Sequence, residues 1–144
     1  MPSSYLIDVA QKLVFSRGWG VVTDADVLRH AEALRADHRF DPGFRQVYSF
    51  LDLSEVRVTP EGVRSVAHMN PFRTDSRRAL VVPSDLAFGL ARMFEAHTNS
   101  DQEQFRVFRS LGPAFEWVGL DPATPWPARQ PDATIGGAEW QTRI

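Results

Sequence analysis

A chain of 144 residues with 43% apolar, 24% charged and 11% aromatic side chains has the size and composition of one soluble globular domain with a core of its own. Zero cysteines exclude a disulfide framework and cysteine catalysis, and the longest apolar runs fall far short of a bilayer span. A net charge of −2 offers no basic field to a phosphate backbone, so nucleic acid is not an expected partner, and MPSSYLIDVA lacks the basic start and apolar stretch of a secretory leader, which makes the cytoplasm the expected compartment.

The apolar period changes repeatedly along the chain. Leu6–Val9 and Leu13–Val22 read as two strands joined by a turn near Ala10–Lys12, an opening hairpin. Gly18 and Gly20 flank Trp19 inside the second strand, and no phosphate-loop pattern follows them, so they predict a bulge or a close backbone approach. Thr23 caps a helix with Asp24 and Asp26 in its first turn, and Val27, Leu28, Ala31 and Leu34 supply its apolar stripe. Asp41-Pro42-Gly43 is a turn signal that ends the segment.

The near-continuous apolar run from Gln46 to Leu53 predicts a central strand covered on both faces. Thr59 then caps a second helix with Pro60 at its first position, where a missing N–H costs nothing, and Asn70-Pro71 ends it. Ala79–Val82 reads as a buried strand stopped by Pro83. Ser84 caps a third helix whose stripe is Leu86, Leu90, Met93, Phe94 and His97. Phe105–Phe108 makes a last strand, and Ser110 caps a short helix carrying Ala114, Trp117 and Val118. The order predicts a single-domain α/β fold: an N-terminal hairpin, then βα repeats, in a mixed sheet flanked by helices. The domain spans residues 1–120. Residues 121–144 form a proline-rich tail in which Trp126, Ile135 and Trp140 are anchors for docking on this domain or on a second subunit.

Chemistry-bearing residues are sparse. Fifteen arginines and the single Lys12 are scattered, which reads as a solvated surface. His30, His38, His68 and His97 have no metal-ligand spacing and read as surface or helix-face residues; no metal and no cofactor is expected. Ser54 beside Asp52 lacks a nucleophile elbow and a nearby histidine, and no acid pair or nucleophile–base pair assembles, so no catalytic residue is assigned and the chain is not read as an enzyme. Gly89 inside the third helix costs about 1 kcal/mol relative to alanine, which suggests close packing on the sheet or a ligand groove beside it with Phe88 and Met93. Met69, Phe72, Phe88, Met93 and Phe94 read as ordinary core, with an apolar cavity as the alternative.

Together with the element order, the segments DLSEV, RRALVVPSDLAFGLARMFE and FRVFRSLGPAFEWV resemble the STAS superfamily, in its SpoIIAA-like branch of small bacterial proteins, over roughly Tyr5 to Val118. The resemblance implies a non-catalytic regulatory module that meets a protein partner and is switched by phosphorylation of a serine, or sometimes a threonine, at the start of the helix following the central strand. Asp52-Leu53-Ser54-Glu55-Val56 matches the first half of the family pattern, while Thr59-Pro60-Glu61-Gly62-Val63 occupies the second and replaces the phosphoacceptor serine. With Gly62 as anchor, Glu61 stands where the phosphorylated hydroxyl would be, a carboxylate that cannot be toggled.

Two readings follow. The first is a homodimeric interaction module meeting an unidentified protein through Asp52, Ser54, Glu55, Thr59 and Glu61. The second is a carrier of a small apolar or lipid-like ligand between the third helix and the sheet, at Phe88, Gly89 and Met93.

Overall fold

A computed structural model describes residues 3–98 and 104–127 in full and the backbone alone of 134–135 and 138–141. Strands β1 (Ser3–Asp8) and β2 (Leu13–Thr23) pair antiparallel as the expected hairpin. Its turn closes on Lys12, held left-handed at φ 56°, while the Asp8 carboxylate accepts from the backbone and side-chain N–H groups of Gln11. Helix α1 (Asp24–Ala36) follows directly. Thr23 and Asp26 cap it reciprocally, each side chain accepting from the other's backbone N–H, so two of the orphan donors of the first turn are satisfied.

The central strand β3 (Arg45–Arg57) runs parallel to β2, with register shifts between Arg17 and Trp19 and between Gly20 and Val21. Both shifts lie at the glycine pair. Gly20 sits at φ 65°, a conformation that costs a side-chain-bearing residue energy, and Gly18 admits the Phe50 ring so closely that a Cβ would lie 2.9 Å from it. Helix α2 (Pro60–His68) leads to β4 (Arg78–Val81), helix α3 (Asp85–His97) to β5 (Phe105–Phe108), and helix α4 (Leu111–Trp117) closes the repeat. β3, β4 and β5 pair in parallel, so the fold is the expected α/β architecture with one mixed sheet. Ser110 stands at the cap of α4 with extended backbone, but its side chain makes no capping bond.

Beyond the domain, β7 (Ala138–Gln141) adds antiparallel to β1, pairing Tyr5 with Gln141 and Leu6 with Trp140, and β6 (Thr134–Ile135) pairs with β7. The sheet order is therefore β5-β4-β3-β2-β1-β7-β6. Pro131, Gly136 and Gly137, and the side chains of Ile135 and Trp140, lie outside the described residues.

Strand alternation assigns each residue to one of two faces. On one, Leu6, Leu13, Phe15, Val47, Ala79 and Val81 meet Ala114, Phe115 and Val118 at α4. Trp126 completes that layer, its ring 5.7 Å from Phe15 and stacked 6.1 Å from Phe115. The other face carries Tyr5, Ile7, Val14, Tyr48, Leu80 and Val82 beneath α1, α2 and α3. Each large side chain so buried contributes about 1.5–3 kcal/mol. The α3 stripe is shifted from its expected position: Ala87, Ala91 and Phe94, at i, i+4 and i+7, face the sheet, whereas Leu86 is 63% exposed. Small residues at 87 and 91 let the helix approach the sheet where a leucine could not.

Candidate functional site

Beneath the three helices the layer does not close completely. A partly open cavity of about 110 Å³ lies between them and β2–β4. Its walls are almost entirely apolar. Val27 and Leu34 of α1, Val63 and Val66 of α2, and Leu90 and Phe94 of α3 face Tyr48, Phe50, Leu80 and Val82 of the sheet. The end of β3 contributes Val56, and the segment joining β3 to α2 contributes Val58.

One end of the cavity is polar, and there the strand register puts Gln46 opposite Arg78. Arg78 is 5% exposed and donates through Nε to Gln46 Oε1 at 3.1 Å and through Nη1 to Asn70 Oδ1 at 2.9 Å. The rings of Phe72, Phe94 and Phe105 lie 4.2, 5.3 and 5.3 Å from the guanidinium carbon, so the cation is held by π faces and neutral amides. Burial lowers its pKa to about 9, which leaves it charged at neutral pH.

A buried chain of polar groups continues from it across the sheet. Gln46 Nε2 donates to Ser16 Oγ at 2.9 Å, Ser16 Oγ lies 2.9 Å from His30 Nε2, and Ser3 Oγ lies 2.9 Å from His30 Nδ1. Burial first, and the Arg78 charge second, lower the His30 pKa to about 3, so the imidazole is neutral. The Ser16–His30 contact has the distance of a nucleophile–base pair, but both groups are buried and so weak a base does not take up a hydroxyl proton near neutral pH. Burial also raises the Tyr48 phenol, whose hydroxyl is bonded to Ser3.

His30 does lie on a face of α1, but a buried one and not a surface, and Arg78 is a core residue and not part of the expected solvated surface. Burial of His30 is met by Ser3 and Ser16, both remote in sequence, and burial of Arg78 by Gln46 and Asn70. The expected groove residues also move. The cavity does lie between α3 and the sheet, but it is lined by Ala87, Leu90, Ala91 and Phe94 and not by Phe88, Gly89 or Met93. Gly89 is exposed and a Cβ there would meet nothing within 4 Å, so neither close packing nor a groove explains it. Phe72 and Phe94 do line the cavity; Met69 sits in a separate surface depression with Phe40 and His68.

The five residues expected to meet a partner lie along one exposed segment. Asp52 is bound by Arg17 at 2.6 Å and Glu55 by Arg57 at 3.0 Å. Ser54 and Glu61 are solvent-facing. Thr59 accepts from Gly62 N–H as the α2 cap, and both its backbone N–H and its hydroxyl donate to the Asp24 carboxylate, at 2.8 and 2.7 Å. The carboxylate over the start of α2 is thus that of Asp24, from α1, while Glu61 points away into solvent. Sequence spacing could not reveal an acid arriving from 35 residues upstream.

Among the described residues no group of three or more histidines and carboxylates is placed to hold a metal ion, and no helix is long and apolar enough to cross a membrane. Comparison with models of known protein families, with curated proteins and with solved structures gives no match to this chain.

Proposed function

We propose that this protein is a non-catalytic binding protein for a small apolar molecule, held between α1–α3 and the sheet. The observation that carries the reading is the apolar cavity itself. Native interiors close to crystal-like density and leave few voids larger than water, and an engineered apolar cavity of about 150 Å³ is enough to bind benzene. The volume here, about 110 Å³, is smaller, but the cavity is partly open to solvent, so a compact guest need not be enclosed completely. The STAS-like order of elements is compatible with this role, since the resemblance supplies a scaffold without a catalytic set. The competing reading, an interaction module acting through the segment from Asp52 to Glu61, has less behind it: Asp52 and Thr59 are already engaged by Arg17 and Asp24 within the chain.

Titration of the methyl-labelled full chain with toluene tests the proposal. Shifts confined to Val63, Leu80, Val82 and Leu90 are expected, and Ala91→Phe, which fills the space, should abolish them. Shifts spread over the surface, or none at any attainable toluene concentration, would reject it.

A further inference from the structure

Building on the cavity as a ligand site, we infer that its natural occupant is a small amphipathic acid, with its carboxylate on Arg78 and an apolar body about the size of a benzene ring in the cavity.

Arg78 is the observation that demands an anion. A charge withdrawn from water is normally paired, because its desolvation costs several kcal/mol. Six ion pairs are present among the described residues, and none of them includes Arg78. A guanidinium carries five N–H donors. Two are engaged, one by Gln46 and one by Asn70, both neutral acceptors, which leaves three without a bond among the described residues. The planar fork suits bidentate capture of a carboxylate, and the surrounding Phe72, Phe94 and Phe105 rings lower the local dielectric and so strengthen that attraction.

Among the described residues, no ion pair supplies the missing charge. Asp26, the acidic group that acts on Tyr48, is committed to the Thr23 cap and to Arg29. Of the described residues beyond the domain, Trp126 packs on the opposite face of the sheet and β7 lies at the β1 edge. The charge available also fixes the head group. His30 is neutral, so Arg78 is the single cation lining the cavity among the described residues, and a monoanion matches it where a dianionic phosphate would remain half compensated. Head and body positions are continuous, because Arg78, Asn70 and Gln46 line the same cavity as Phe50, Leu80 and Leu90.

Hexanoate and 1-hexanol, titrated into the full chain under the same conditions, separate this inference from the reading beneath it. Hexanoate is expected to bind at least tenfold more tightly than hexanol and to shift the Arg78 Nε–H resonance along with the cavity methyls. Arg78→Met should retain hexanol binding and lose the tenfold preference; the wild-type comparison and the Nε–H shift decide the matter even where that variant folds poorly. Equal binding of the two probes, with Arg78 silent, overturns the carboxylate assignment and leaves the cavity reading standing. Preference for hexyl phosphate over hexanoate overturns the single-charge assignment. Failure of all three probes to move the methyls overturns the cavity reading and this inference with it.

Discussion

Gln46 and Arg78 face each other across the parallel strands β3 and β4, and the Nε–H of Arg78 donates to Gln46 Oε1 at 3.1 Å. The amide of Gln46 therefore serves two buried neighbours at once, accepting from the cation and donating to Ser16. Replacing it with leucine leaves the cation and a buried hydroxyl each short of a partner, and Gln46→Leu should destabilise the fold by about 2–4 kcal/mol. Arg78→Met should cost less, because it removes the buried charge together with its desolvation penalty and leaves only neutral acceptors behind. Urea unfolding of the two variants checks the order; a larger loss for Arg78→Met would mean that the aromatic cage stabilises the cation more than water would.

His30 makes stability depend on pH in a definite direction. Its folded pKa, about 3, lies below the unfolded value near 6.5, so between those limits the unfolded chain binds a proton that the folded chain does not. The contribution is fully present above pH 6.5 and declines on acidification, at up to about 1.4 kcal/mol per pH unit from this group. Urea midpoints at pH 7, 6 and 5 should fall for the wild type more steeply than for His30→Gln. Parallel slopes, or an imidazole whose carbon shifts titrate near pH 6, would show that His30 is hydrated.

Local signals carried most of the fold. Thr23, Thr59 and Ser84 mark helix starts through their own side-chain bonds, and Gly18 and Gly20 mark the irregularity of β2, because caps and bulges are settled within a few residues. The polar end of the cavity was not legible for the opposite reason. Ser3, Ser16, His30, Gln46 and Arg78 come from β1, β2, α1, β3 and β4, and each alone looks like a surface residue. One signal was available: Gln46, second in β3, and Arg78, first in β4, each stand directly before an apolar run, where a polar side chain has to find a buried partner. The groove was misplaced by a smaller error of helical phase. Phe88, Gly89 and Met93 flank the face that Ala87, Ala91 and Phe94 turn to the sheet.

Exposure of Gly89 makes it a site for stabilisation. No atom lies within 4 Å of an added Cβ, and no left-handed backbone requires glycine there. Gly89→Ala should raise stability by about 0.5–1 kcal/mol, through helix propensity and loss of unfolded-state freedom. Hexanol binding should be unaffected, since position 89 does not line the cavity. Thermal and urea unfolding read the gain; a loss of stability would place this face against something other than solvent.

Gly62 presents the contrary case, and the Asp24 carboxylate is the reason. A Cβ at position 62 would lie 1.9 Å from Asp24 Oδ1, within the carboxylate that accepts from both the backbone N–H and the hydroxyl of Thr59. Gly62→Ala must expel that carboxylate from the start of α2, breaking two hydrogen bonds and removing a negative charge from the positive end of the helix. A loss of about 2 kcal/mol is expected, from two bonds at about 1 kcal/mol each. Asp24→Ala alone should cost a similar amount. All three atoms nearest the added Cβ belong to Asp24, so the double variant should be no less stable than Asp24→Ala alone, its coupling energy close to the full cost of Gly62→Ala. Additive losses would show that position 62 is closed by the α2 backbone itself. The same cycle also bears on Thr59: with Asp24 removed, its hydroxyl loses the acceptor that now occupies its proton, and only then is it free to meet another group.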